Sequence, residues 1–352
     1  MAAGLGACAC MLAFPAAGLA KTKTVVVGTG KAAKAFQKLG ADVNGFFPSG
    51  ISIHKGDSVR FVLGGFHNVD LPKRGGGTAA LITPTGTTVS GSNDELGQPF
   101  WFNGQPNLSF NPALFSGGFG KKLTYNGRKS LNSGLPLAAK VKPMTVKFAK
   151  TGKYTYYCDI HSGMKGTVTV KRATRSIPTA KQDAATVKAE IKRDVKIAKA
   201  LPRTKTPSGT VDVGAAGPHG VEYFGMVPGT IDVNSGDKVT FRMSKGSFEV
   251  HSATFGPGNP ETQPDSYLGK LAAGINPPTF DPRAVYPSDP PGSSTAVLTA
   301  LTHGNGFWNS GIMDNASKTP LAGSNAVQFG APGTYDYYCL IHPFMHGRVV
   351  VR

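Results

Sequence analysis

One fifteen-residue pattern occurs twice, and it constrains the chain more than any other feature. Residues 152–166 and 333–347 both read G-x-Y-x-Y-Y-C-x-I-H-x-x-M-x-G, and each is followed by a β-rich run. The correspondence continues upstream. Gly56-Asp57-x-Val59-x-Phe61 matches Gly236-Asp237-x-Val239-x-Phe241, and each is followed shortly by a histidine, His67 and His251. Asn132-Ser133-Gly134 likewise matches Asn309-Ser310-Gly311. The offset is 184 between the upstream histidines and 181 between the cysteines. A near-constant offset over that distance implies two copies of one domain. We expect an apolar leader at 1–20, a first domain at 21–172, a linker at 173–208 and a second domain at 209–352.

Composition narrows the fold of each copy. Of 352 residues, 46 are Gly and 26 Pro, and only 16% are charged, which argues against a helical bundle or coiled coil and for turn-rich β structure. Segments such as Ser58–Leu63, Met144–Ala149 and Thr167–Val170 alternate apolar and polar residues between Gly and Pro. The fold class expected is all-β: two antiparallel Greek-key β-sandwich domains joined by a helical linker. Because alternate strand residues share a face, Tyr154 and Tyr156 should line the core beneath Cys158.

Residues 1–20 carry no charge and end in Gly18-Leu19-Ala20, small residues at both positions a signal peptidase reads. Export is therefore expected, to the periplasm, the exterior or the cell surface. The basic stretch that opens a signal is missing, which suggests that a few residues precede Met1. Removing the leader would take Cys8 and Cys10 with it, leaving Cys158 and Cys339 of the four cysteines. No apolar run reaches the roughly 18 residues a transmembrane helix needs, so no span is expected.

Between the copies, Ala184, Val187, Ile191, Val195 and Ala198 recur at helical spacing among lysines and arginines, with Pro178 before and Pro202 after. This reads as a spacer helix packing one narrow stripe. Net charge is +18 overall: +15 over 21–172, +6 over 173–208 and −3 over 209–352. That asymmetry favours steering towards an acidic redox partner or an anionic cell surface, with Lys165 and Lys121-Lys122 near the first cysteine loop. No nucleic-acid-binding signature accompanies the charge, so nucleic acid is not expected as a partner.

Each copy offers one upstream His, then Cys, His and Met within seven residues. One thiolate, two imidazoles and a thioether select copper, and His₂Cys with a weak axial Met is the blue-copper electron-transfer arrangement. Zinc takes Cys and His but rarely Met. Here the chain resembles the cupredoxins. The short Cys339-x-x-His342-Pro343-Phe344-Met345 loop is most similar to amicyanin within the plastocyanin-like group. The resemblance implies one copper at His67, Cys158, His161 and Met164, and a second at His251, Cys339, His342 and Met345. It also implies that His161 and His342 lie at the exposed edge of each site, where electrons enter and leave. At the second site the Asn that follows the family's upstream His is replaced by Ser252, which weakens the match there.

Two-domain cupredoxins also include copper nitrite reductases and small laccases, which need a further copper held by several histidines. Here Tyr157 and Tyr338 precede the cysteines, and no His-x-His pair occurs. The remaining histidines, His54, His219, His303 and His346, are scattered. The expectation is an electron carrier rather than an enzyme. A copper-sequestering or surface-binding module is the third reading, resting on the long segments Leu71–Lys142 and Ala253–Asn325. Their aromatics, Phe100-Trp101-Phe102 and Phe307-Trp308, are expected to be buried over the sandwich.

Overall fold

The computed structural model describes residues 20–276, 278–315 and 321–352. The apolar leader, with Cys8 and Cys10, therefore lies outside the described residues except for Ala20.

Each half is a pair of facing sheets. In the first half one sheet runs Phe46–Phe47, Thr22–Val27, Ser58–Leu63, Met144–Phe148, Lys122–Tyr125. The other runs Leu131–Asn132, Asp70–Leu71, Gly152–Tyr157, Lys165–Lys171, Gly50–His54. Alternation decides which side chains enter the core: Val59 and Phe61 from one strand, Val146 and Phe148 from its neighbour, and Tyr154, Tyr156, Val168 and Val170 from the facing sheet. Cys158 sits at the end of that apolar layer, above the two tyrosines. The second half repeats the arrangement with Val239, Phe241, Val327 and Phe329 against Tyr337, Val349 and Val351.

The glycine closing the repeated motif has a packing role. Gly166 pairs across the strands with Tyr156, and a Cβ on it would stand 2.5 Å from the tyrosine ring. Gly347 opposes Tyr337 in the same way. Each large ring lies over a residue with no side chain.

The ladders differ from the purely antiparallel expectation. Thr22–Val27 runs parallel to Ser58–Leu63, and Gly50–His54 parallel to Lys165–Lys171. Thr210–Ala216 and Thr230–Val233 have the corresponding parallel neighbours, Lys238–Met243 and His346–Val351. The chain changes sheets between these partners, so adjacent strands arrive in the same direction, which a direct hairpin cannot achieve.

The two halves interlock. Ala41–Val43, from the first half, forms the edge strand of a second-half sheet by pairing with Val221–Val227. The hairpin Ile82–Thr88/Pro106–Phe110 extends towards the second half. At its tip Val89, Phe100 and Phe102 are buried with Leu268, Leu271, Phe307 and Leu340. Trp101 donates its indole N–H to the Pro287 carbonyl at 2.9 Å. The aromatics of both long segments thus pack against each other across the halves.

The linker helix spans Ala180–Ala198 and opens with a capping box between Thr179 and Gln182. Val187, Ile191, Val195 and Ala198 pack with Phe36, Val43, Leu201 and Val221, at the junction of the halves. Ala184 is exposed, so the apolar stripe starts one turn later than its spacing suggests. Glu190 is buried there, accepting from Ser49 N–H at 3.2 Å and Ser49 Oγ–H at 2.6 Å. No helix among the described residues is long and apolar enough to cross a membrane.

Candidate metal centre

In both halves the strand ending Tyr-Tyr delivers its cysteine into a tight loop. Cys158 N–H donates to the Met164 carbonyl at 3.1 Å, and Met164 N–H donates back to the His161 carbonyl at 3.0 Å. Cys339, His342 and Met345 repeat both bonds at 3.0 and 2.8 Å. This places Cys, His and Met on one loop and buries Met164 and Met345 almost completely. Each upstream histidine then arrives from another strand edge. His67 Nδ1 lies 2.9 Å from His161 Nδ1, and Cys158 Sγ lies 3.5 Å from the latter. In the second half the two Nδ1 atoms are 3.1 Å apart, with Cys339 Sγ at 3.8 and 3.9 Å. The donors of each triad all lie within 4.8 Å of one another.

These separations suit a common cation. Ligands held about 2.0–2.3 Å from one metal stand on the order of 3–4 Å from each other. The upstream histidines offer the free imidazole lone pair that a metal needs. Burial, followed by the nearby His161 charge, holds the His67 pKa well below its ordinary value. Burial and His342 lower that of His251 to about 3. Both upstream rings are therefore neutral. Burial pushes the Cys339 thiol up, so without a cation it stays protonated.

Each upstream ring lies against glycine. A Cβ on Gly28 would come within 2.5 Å of His67 Nε2, and one on Gly214 within 2.7 Å of His251 Nε2. Both glycines have positive φ, +88° and +80°. These positions form the wall behind each histidine, and nothing local in the sequence singles them out from the other glycines.

The Asn-to-Ser difference beside the upstream histidines proves compatible with the same loop anchor. Asn68 Oδ1 accepts Asp159 N–H at 2.7 Å, and Ser252 Oγ accepts Leu340 N–H at 2.9 Å. The serine hydroxyl thus makes the bond to the residue after cysteine that the longer amide makes in the first half. Ser252 N–H also points at Cys339 Sγ, 3.4 Å away.

The expected exposed edge is not what the structure shows. His161 is 7% exposed, and its Nε2 faces Glu249 Oε1 of the second half at 3.2 Å. His342 retains more surface, yet its Nε2 faces the other oxygen of the same carboxylate at 3.9 Å. The halves pack with these loops towards each other, so the second half covers the first site. Asn44 Nδ2 donates to Glu249 Oε1 at 2.8 Å. Burial works against the Glu249 anion, but the facing His161 holds this carboxyl well below the usual range. Burial likewise opposes protonation of His161, while Glu249 and Cys158 raise its pKa well above the ordinary value. Glu249 was not anticipated, although a lone acid in Phe248-Glu249-Val250-His251 is an unusual interruption of an apolar approach.

Beside this contact opens a cleft of about 500 Å³ lined by His67, His161 and His342 together with Phe66, Phe224 and Phe344. The other histidines join neither triad among the described residues. His303 pairs with Asp94 at 3.2 Å, and His54 meets the Arg175 carbonyl at 2.8 Å.

Part of the chain is similar to known proteins. The model of the copper binding proteins of the plastocyanin/azurin family matches residues 38–171. Amicyanin-alpha of Methylorubrum extorquens is 46% identical over 56 residues, which is 15% of this chain and 47% of that protein. The chain thus spans about half the length of that curated relative. Among solved structures, amicyanin from Paracoccus versutus is 15% identical, covering 42% of this chain and 85% of its own, with a TM-score of 0.22. Oxidised plastocyanin from Dryopteris crassirhizoma is 20% identical, covering 41% and 99%, with a TM-score of 0.21. The family match thus falls on the first half, residues 38–171, and the second half carries the same Cys-x-x-His-x-x-Met loop.

Proposed function

We propose that this protein is an exported electron carrier with one copper in each of two domains, 21–172 and 209–352. The supporting observation is the convergence of the same three donors twice: His67, Cys158 and His161, then His251, Cys339 and His342, each within 4.8 Å. Met164 and Met345, placed on the same loop by its backbone bonds, would supply a further thioether donor to each site. Copper would supply a one-electron couple between Cu(I) and Cu(II). The protein's part is to hold both imidazoles and the thiol in place through the transfer. Buried glycine walls, the loop bonds from Cys to Met, and the Asn68 and Ser252 anchors restrict each donor to one arrangement. A fixed donor set needs little rearrangement when the charge changes.

Because His161 is covered, exchange with a redox partner is assigned to the open rim of the cleft. There His342 keeps some exposed surface beside Phe344, which is half exposed, as is Phe66. The basic first half would favour a partner with an acidic docking face.

The test is copper per chain together with the visible spectrum of the Cu(II)-loaded protein lacking residues 1–20. Two coppers and an intense thiolate band, lost in two steps by Cys158→Ser and Cys339→Ser, are expected. One copper would reduce the protein to a single redox domain. More than two would favour a copper oxidoreductase, and a colourless protein that takes up none would end the proposal.

A further inference from the structure

The two donor sets do not stand apart in this fold. His161 and His342 both present Nδ1 to their cysteine and Nε2 to a single carboxylate. An imidazole that donates through one nitrogen leaves the lone pair of the other free for a metal, so the acceptor 3.2 Å from His161 Nε2 fixes the useful tautomer of that ring. Glu249 Oε1 faces one ring and Oε2 the other. Asn44, bonded to Oε1, holds the carboxylate in that orientation. Phe248, its neighbour, packs over the first loop so closely that a Cβ on Gly163 would fall 2.5 Å from the ring. The Phe248 N–H is in turn anchored by Glu222 at 2.7 Å.

The repeat shows that this carboxylate is singular. At the 184-residue offset of the upstream histidines, Glu249 corresponds to Gly65. A side chain at Gly65 would collide with its own histidine, since even a Cβ there would lie 2.9 Å from His67 Nε2. The first half therefore has no room for an equivalent acid, and one buried anion faces both loops.

We infer that Glu249 couples the two metal sites. It positions His161 through the contact at 3.2 Å, and its charge, 3.9 Å from His342 Nε2, offsets cationic character at either site. Whatever changes the charge at one site thereby changes the field at the other. The inference rests on the copper reading above.

The experiment uses the full chain, copper-loaded, with Glu249→Gln introduced alone and into Cys339→Ser and Cys158→Ser, so that each site is read separately. The isosteric amide removes the charge and can accept from only one ring. Both sites should shift towards Cu(I) by about tenfold, equivalent to ~59 mV for one electron. A shift confined to one site, or none, would overturn the coupling while leaving the copper reading intact. Failure of the unmutated protein to load copper would instead overturn both. A variant-free measurement guards against misfolding of Glu249→Gln. Nitrogen-15 spectra of the Cu(I)-loaded protein should show an Nε2-protonated, slowly exchanging ring at His161. Finding that ring protonated at Nδ1, or exchanging freely, would remove Glu249 as its acceptor.

Discussion

Gly28→Ala is the sharpest test of how the first histidine is held. At φ +88° an L-residue is strained by roughly 1–2 kcal/mol relative to glycine. The new methyl would also stand 2.5 Å from His67 Nε2 and 2.6 Å from Cδ2, well inside contact distance. Retreat is blocked, because Gly65 lies close to the same edge of the ring and His161 stands 2.9 Å from Nδ1. Overpacking of this kind costs about 1–3 kcal/mol. Together the terms amount to about 2–5 kcal/mol, part of it relieved by pushing His67 off its position. Urea unfolding of the metal-free chain, read beside copper stoichiometry, separates the two effects. The first site should lose affinity and thiolate absorption while the second, read in a Cys158→Ser background, stays as it was. A stability change under about 1 kcal/mol with an unaltered spectrum would show that the glycine wall does not position His67.

Two further predictions concern buried polar groups that no metal touches. Tyr156 Oη and Tyr337 Oη are buried without a hydrogen-bond partner among the described residues, so Tyr156→Phe or Tyr337→Phe removes a desolvated hydroxyl and should leave stability unchanged or raise it by about 1 kcal/mol. A loss larger than about 1 kcal/mol on urea unfolding would mean that the hydroxyl is satisfied. Glu222 is pushed up to about 8 by burial, with the Glu249 charge adding to the effect against bonds from Phe248 and Ser247. A carboxyl raised on folding binds its proton more tightly in the native state, so its contribution is complete below about pH 4.5 and declines as pH rises through about 8. At ~1.4 kcal/mol per pKa unit the decline is a few kcal/mol, and Glu222→Gln should flatten it in urea midpoints collected across that window. Parallel pH profiles for the two proteins would contradict the assignment.

The sandwiches and the Cys-His-Met loops were legible in the sequence because each is encoded locally, whereas each upstream histidine was found through the repeat. Period-two alternation marks Ser58–Leu63 and Met144–Phe148, and the Cys-x-x-His-x-x-Met loop places three donors within seven residues. The parallel neighbours were not legible, because direction depends on which sheet the chain has just left. Neither was the role of Ser252, since a hydroxyl and an amide look unlike in sequence yet accept the same backbone N–H at 2.9 and 2.7 Å. Ala184 fitted the helical spacing but lies beyond the edge of the surface the helix covers. The expected exposure of His161 failed for a related reason. Nothing within either repeat says how two copies pack, and that packing is set by the non-equivalent pieces: the strand Ala41–Val43, the hairpin tip around Phe100–Phe102, and the linker helix.

Those same pieces explain why a buried acid is tolerated between the loops. A carboxylate removed from water costs several kcal/mol unless it is fully partnered. Glu249 has Asn44 at 2.8 Å and His161 at 3.2 Å, both from the first half, with His342 at 3.9 Å from its own. Two of its three partners therefore exist only when the halves are docked. The docking is in turn favoured by the apolar contacts of Phe248 with the first core and of Phe102 with Phe307 and its neighbours. Separating the halves would leave Glu249 with only the distant His342, and His161 without its acceptor. Interface and donor geometry thus depend on each other. The second half serves the first site as a structural element, in addition to carrying a donor set of its own.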